Sequence, residues 1–236
     1  VHSFERRDAI PAWGRYLRRR ATGVDARAAE KPVGPDEAAE LAIGLLFAAH
    51  KNPAIGAAQT LLLLLEHPSE LSKVLAEVRG PREAAAAGGG DDTALRRSIL
   101  EALRLTAHTI GGIRKVVADE GFDLNTAEGT QLHVPHGEYI ALCHTVPNRD
   151  AATFSNPLAF APDRFARPFD EYEFTTFSHG LHRCPGRTYA VKLMEVLLGE
   201  MLRRYDFKAV AGLPPMSYER ATLAQRVGQC LLEYTA

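Results

Sequence analysis

The chain has 236 residues, 46% of them hydrophobic, which is enough to bury a sizeable core within one domain. Its 28 Lys and Arg stand against 29 Asp and Glu, and a net charge of -1 gives no electrostatic basis for nucleic acid or an acidic membrane surface as partner. The three cysteines, Cys143, Cys184 and Cys230, are odd in number and widely spaced, which does not resemble a disulfide framework and favours a reducing, intracellular compartment.

Residues 1–34 carry the basic run RYLRRR and then a polar, Pro/Gly-bearing stretch, read as a short helix and a surface loop. They show neither a signal-peptide nor a transit pattern, and the chain does not start at Met, so a segment continuing from an earlier portion is expected. Pro35 and Asp36 then open a helix that runs to Glu66, with Pro near the first turn and acids against the dipole. Between Leu41 and Leu65 it is apolar nearly all round. His50, Lys51, Asn52 and Pro53 in the middle argue against a membrane span and for a helix buried along its length, kinked at Pro53.

A second helix is expected over 69–78, with Ser69 as its N-cap and Gly80-Pro81 as its stop. The run 84–92 reads as a low-complexity loop. Asp92 or Thr93 then caps a helix to about Leu105. Strands are expected at 112–117, 131–134 and 138–143, with 144–183 mostly irregular. A last helix spans about Pro185 to Tyr205, and short strands follow at 207–210 and within 221–234. The fold class is mainly α with a small β portion. Cys143 and Cys230 fall in apolar strands, where they read as buried small hydrophobes.

The segment from Phe177 to Gly186 carries the most chemistry. Cys184 stands just ahead of a helix with Pro185 at its expected first position. Unpaired N–H groups and the positive end of the dipole there favour a thiolate, although a cysteine that merely caps the helix would look the same. Gly180 and Gly186 let the backbone turn and approach a flat ligand closely. Glu101 and Arg104 lie three residues apart on one helix face and can pair; a solvated surface pair is the commoner outcome of that spacing.

Taken together, Phe177, Gly180, His182, Cys184 and Gly186 fill a pattern that resembles the haem-binding loop of the cytochrome P-450 family. Glu-Ala-Leu-Arg at 101–104 and Pro-Asp-Arg-Phe at 162–165 resemble two further motifs of that family, in the same order. The resemblance covers residues 35–236 and corresponds to the C-terminal half of the family's fold. It implies haem b as cofactor, Cys184 as axial ligand of the iron, and His182 and Arg114 as partners of haem propionates. Glu101, Arg104 and Arg164 become a structural triad, and the segment from Ala107 to Gly111 a pocket wall.

The long helix resembles the one that crosses the other haem face. The family usually places an acid and Thr there to relay protons, whereas this chain has Lys51 and Asn52. Ala49, His50 and Asn52 are the candidate catalytic residues on that side, His50 because it titrates near neutrality and Asn52 because it can hold a water. The resemblance thus implies monooxygenation of a lipophilic small molecule, using O2 and electrons from a separate redox partner. The alternatives are an isomerase or dehydratase acting on a peroxide or similar activated substrate, and a truncated haem-binding protein without activity. A separate N-terminal fragment of the same fold is a possible partner. The expected location is cytoplasmic, or membrane-associated through that N-terminal part.

Overall fold

The computed structural model describes residues 34–81, 92–107, 110–126, 129–167, 169, 172–180, 183–217 and 223–236. The expectations for residues 1–33 and for the loop at 84–91 lie outside that range, as do His108, Thr109 and His182.

Four helices and four two-stranded antiparallel sheets make up the described chain. Helix α1 (Pro35–Glu66) is a single 32-residue element, about 48 Å long, and it continues through Pro53. It ends at His67, whose ring Nδ1 lies 2.8 Å from the Leu63 carbonyl. Helix α2 (Pro68–Arg79) starts one residue before the expected position. Pro68 takes the first helical place and His67, not Ser69, is the N-cap, while the Ser69 side chain stays in solvent. Helix α3 (Ala94–Thr106) is capped by Thr93, whose hydroxyl accepts from the Arg96 N–H at 3.0 Å. Glu77 of α2 accepts from the Ala94 N–H at 2.6 Å, so a side chain from a neighbouring helix also serves that terminus.

Strands β1 (Ile110–Lys115) and β4 (Tyr139–Cys143) form one ladder, with Arg114 opposite Ile140. Between them β2 (Phe122–Asn125) and β3 (Gln131–Val134) form a hairpin; β2 was not anticipated because its four residues are short and largely polar-facing. Two single 3-10 turns, Pro147–Arg149 and Pro162–Ala166, punctuate the irregular stretch that follows. Helix α4 spans Arg187–Arg204 with Gly186 as its N-cap, so Pro185 precedes the helix and does not open it. The tail supplies β5 (Asp206–Ala209) paired to β8 (Leu232–Thr235), and β6 (Met216–Ser217) paired to β7 (Gln225–Arg226). Cys143 is exposed and Cys230 half-buried, which corrects their reading as buried hydrophobes: in β4 only Ile140 is even half-buried, and Cys230 lies outside any strand.

The core lies where the four helices meet. Leu64 of α1, Val74 of α2, Ile99 and Ala102 of α3, and Met194 and Leu198 of α4 are all inaccessible or nearly so. Gly56 permits this approach, since a Cβ there would come within 2.8 Å of Met194 Sδ and 3.1 Å of Leu103 Cδ2. Only the second half of α1 takes part. Its first half, with Leu41, Ile43, Leu46 and Phe47, is exposed, which corrects the expectation of a helix buried along its whole length. Apolarity marks what a residue tends to bury and does not supply the surface that buries it.

Candidate functional site

A cavity of about 490 Å³ lies between α1 and the loop that leads into α4. From α1 come Ala48, Ala49, Asn52 and Pro53; from the opposite side come Phe177, Cys184 and Gly186. Five of the sequence-predicted site residues on the cysteine loop and the long helix (Ala49, Asn52, Phe177, Cys184 and Gly186) thus meet around one space. Most of the lining is apolar, and its volume is in the range of small-molecule and cofactor sites.

The cysteine loop is a tight turn held from within. The Cys184 N–H donates to the Phe177 carbonyl at 2.7 Å, and the Arg183 N–H to the Gly180 carbonyl at 3.2 Å. Gly180 has φ +65, the left-handed region that glycine enters without strain, and open space where a Cβ would stand. A Cβ on Gly186 would lie 3.9 Å from Cys184 Sγ, so its absence leaves the sulfur's flank clear. Cys184 itself is accessible. A flat apolar cofactor needs such a donor set: a reachable soft sulfur on one side, small Ala48 and Ala49 on the other, and apolar walls between. The described residues fit haem in these respects.

On the α1 side the backbone contributes a polar atom. Pro53 has no N–H, so the Ala49 carbonyl loses its donor four residues on, and both residues border the cavity. Asn52 adds an amide there. His50 and Lys51 are exposed, and neither lines the cavity.

Behind the cysteine loop, Glu101 and Arg104 are completely buried and pair at 2.7 Å. Arg164 reaches the same carboxylate at 3.0 Å, and the Ala161 N–H donates to it at 2.9 Å. Arg104 also donates to the carbonyls of Asn148 (2.6 Å) and Pro157 (2.7 Å), with its guanidinium 4.8 Å from the Phe154 ring centre. Asn148 continues this network forward. Its amide donates to Thr176 Oγ1 at 2.8 Å, and its side-chain oxygen accepts from the Thr175 N–H at 3.0 Å. Thr176 and Phe177 border the cavity, so the buried ion pair and the cysteine loop belong to one hydrogen-bonded unit.

Arg114 is not brought to the cavity. Its guanidinium folds back on its own strand, donating to the Ile113 carbonyl at 3.1 Å and filling the space beside Gly112. Conversely, sequence reasoning passed over Asn148, His144, Thr176 and Tyr189. His144 is 8% exposed and borders the cavity. Burial pushes its imidazole below the ordinary range, and the nearby His179 adds to the effect. Nothing local in the sequence marks these residues, because they come together from separate segments: His144 and Asn148 from the turn after β4, Thr176 from the approach to the cysteine loop and Tyr189 from α4.

Residues 18–231 match the family model for cytochrome P450, and the chain belongs to that family. It is 30% identical over 186 residues to a sterol 14alpha-demethylase of Mycolicibacterium vanbaalenii, covering 75% of this chain and 39% of that protein. An obtusifoliol 14-alpha demethylase of Triticum aestivum is 29% identical over 59% of this chain and 32% of its own length. A cytochrome P450 monooxygenase of Ganoderma lucidum is 26% identical over 86% of this chain and 43% of its own length. The chain therefore spans roughly a third to two fifths of the relatives it matches. No helix among the described residues is long and apolar enough to cross a membrane.

Proposed function

We propose that residues 35–236 are the C-terminal, haem-binding half of a cytochrome P-450 domain, acting as a haem-thiolate monooxygenase on a lipophilic small molecule. The observation that carries this reading is the cavity that joins accessible Cys184 to Ala48, Ala49 and Asn52, in a chain of this family. Cys184 would hold the iron of haem b, while Gly180 and Gly186 allow close approach of the ring. Such a haem supplies an iron centre whose thiolate ligand favours O–O cleavage. The buried unit of Glu101, Arg104, Arg164 and Asn148 fixes the position of the loop. Asn52 and the Ala49 carbonyl hold a water on the other side, and His50, being exposed, plays no part in that.

The apolar lining and the sterol-type names of two relatives favour a lipophilic substrate. Electrons come from a separate redox partner. The exposed apolar first half of α1 needs cover, and the polypeptide equivalent to the remaining length of the relatives is the proposed occupant. That part would decide between a cytoplasmic and a membrane-associated location.

A second reading, isomerisation or dehydration of a peroxide-type substrate, is favoured by Lys51 and Asn52, which leave no acid-alcohol pair on α1. The reduced, carbon-monoxide-bound protein should show the Soret band of thiolate ligation. Absence of the band in folded wild type, or its persistence in Cys184→Ala, rejects the haem-thiolate assignment. Turnover with O2 and a reductant supports the monooxygenase, whereas turnover of a hydroperoxide alone supports the second reading.

A further inference from the structure

We propose that His144 is the cavity's hydrogen-bond donor to a carboxylate of the bound cofactor, an assignment that rests on the haem reading above. Haem b is a large apolar ring with two carboxylate arms, and a carboxylate brought against apolar walls needs a donor. The polar side chains of the described lining are those of Asn52, His144, Thr176, Cys184 and Tyr189. Of these, His144 alone is buried, and its ring offers an N–H donor. Arg114, the partner expected from the sequence, spends its guanidinium on its own strand.

The backbone holds His144 rigidly. Its carbonyl accepts from the Asn148 N–H at 3.2 Å, and Asn148 is completely buried in the network of Arg104 and Thr176. The next residue, Thr145, donates its hydroxyl to the Ala107 carbonyl at 3.3 Å, at the C-terminal end of α3. His144 is therefore fixed both to the buried ion-pair unit and to a cavity wall before any ligand arrives, and a donor held in place loses little entropy on binding. Burial lowers the proton affinity of its imidazole, and a neutral imidazole still donates through one ring nitrogen.

The test compares two cofactors in the full chain: haem, and haem dimethyl ester, which lacks ionisable carboxylates. Binding is followed by Soret absorbance for wild type, His144→Leu and His144→Gln. His144→Leu should weaken haem about tenfold to a hundredfold, as loss of a hydrogen bond to a charged group does, and leave the ester within about twofold. His144→Gln, which keeps a donor, should recover much of the haem affinity. Equal losses for haem and ester would show that His144 packs against the ring, and unchanged haem affinity in His144→Leu would show no contact; either overturns the assignment alone. If wild type binds neither cofactor, the haem reading fails first and this one with it.

Discussion

The two halves of α1 are built from similar residues and have opposite environments. In the second half Leu64 is 0% exposed, whereas in the first half Leu46 is 70% and Phe47 73% exposed. The change comes at Pro53 and Gly56, where α3 and α4 first come close enough to pack against the helix. The helix is continuous through both halves, so local helix formation does not set the difference. Tertiary partners do: where α3 and α4 supply complementary surface the leucines form a core, and elsewhere they remain a contiguous apolar patch of the kind that marks an interaction site. The cavity sits at this boundary, and one of its walls is firmly held while the other is only half supported.

The firmest part of the held side is the buried ion pair, and breaking it should have the largest effect. Arg104→Ala leaves the Glu101 carboxylate buried with Arg164 as its remaining charged partner, and strips donors from the carbonyls of Asn148 and Pro157. The expected cost is about 3–5 kcal/mol, seen as a lowered urea midpoint or outright loss of cooperative unfolding. A cost under about 1 kcal/mol would mean the network does not hold the loop.

A pair of substitutions sharpens the comparison within α1 itself. Leu64→Ala removes a fully buried side chain and should cost about 2–5 kcal/mol. Phe47→Ala, at an exposed position, should stay within about 0.5 kcal/mol in the chain alone. If the apolar patch is an interface, adding the polypeptide that covers it should make Phe47→Ala costly, by weakening the association measurably. Insensitivity of that association to Phe47 would place the interface elsewhere.

Much of the architecture was legible because helix ends are written in short-range chemistry. Pro35, Ser69, Thr93 and Gly80 each sit within one or two residues of an observed boundary, and the errors were of one or two residues, as at Ser69 and Pro185. The pairing of Glu101 with Arg104 follows from three-residue spacing, and the Phe177–Gly186 pattern from a dense run of special residues. Burial of the first half of α1 was not legible, since periodicity shows an apolar face and not its partner. Nor were Asn148 and His144. Their roles come from contacts with Arg104, 44 residues earlier, and with a cavity assembled from distant segments. Nor was the direction of Arg114, because a strand position does not fix where a long side chain turns.

The smallest predicted effect probes the boundary between the two halves through pH. Burial, and then the charge of His179, lowers the pKa of His144 in the folded protein below its unfolded value of about 6.5. A base with a depressed folded pKa binds its proton more readily when unfolded, so stability is unaffected above about pH 6.5 and falls as the pH drops through the folded value. Wild type should therefore lose more unfolding free energy between pH 7.5 and pH 5.5 than His144→Gln, which has no proton to take up at that position. Urea titrations of both proteins at the two pH values measure the difference directly. Because other histidines titrate in both proteins, the contrast between them carries the information: equal losses would mean that the cavity wall at His144 is wet enough to accept the charge without penalty.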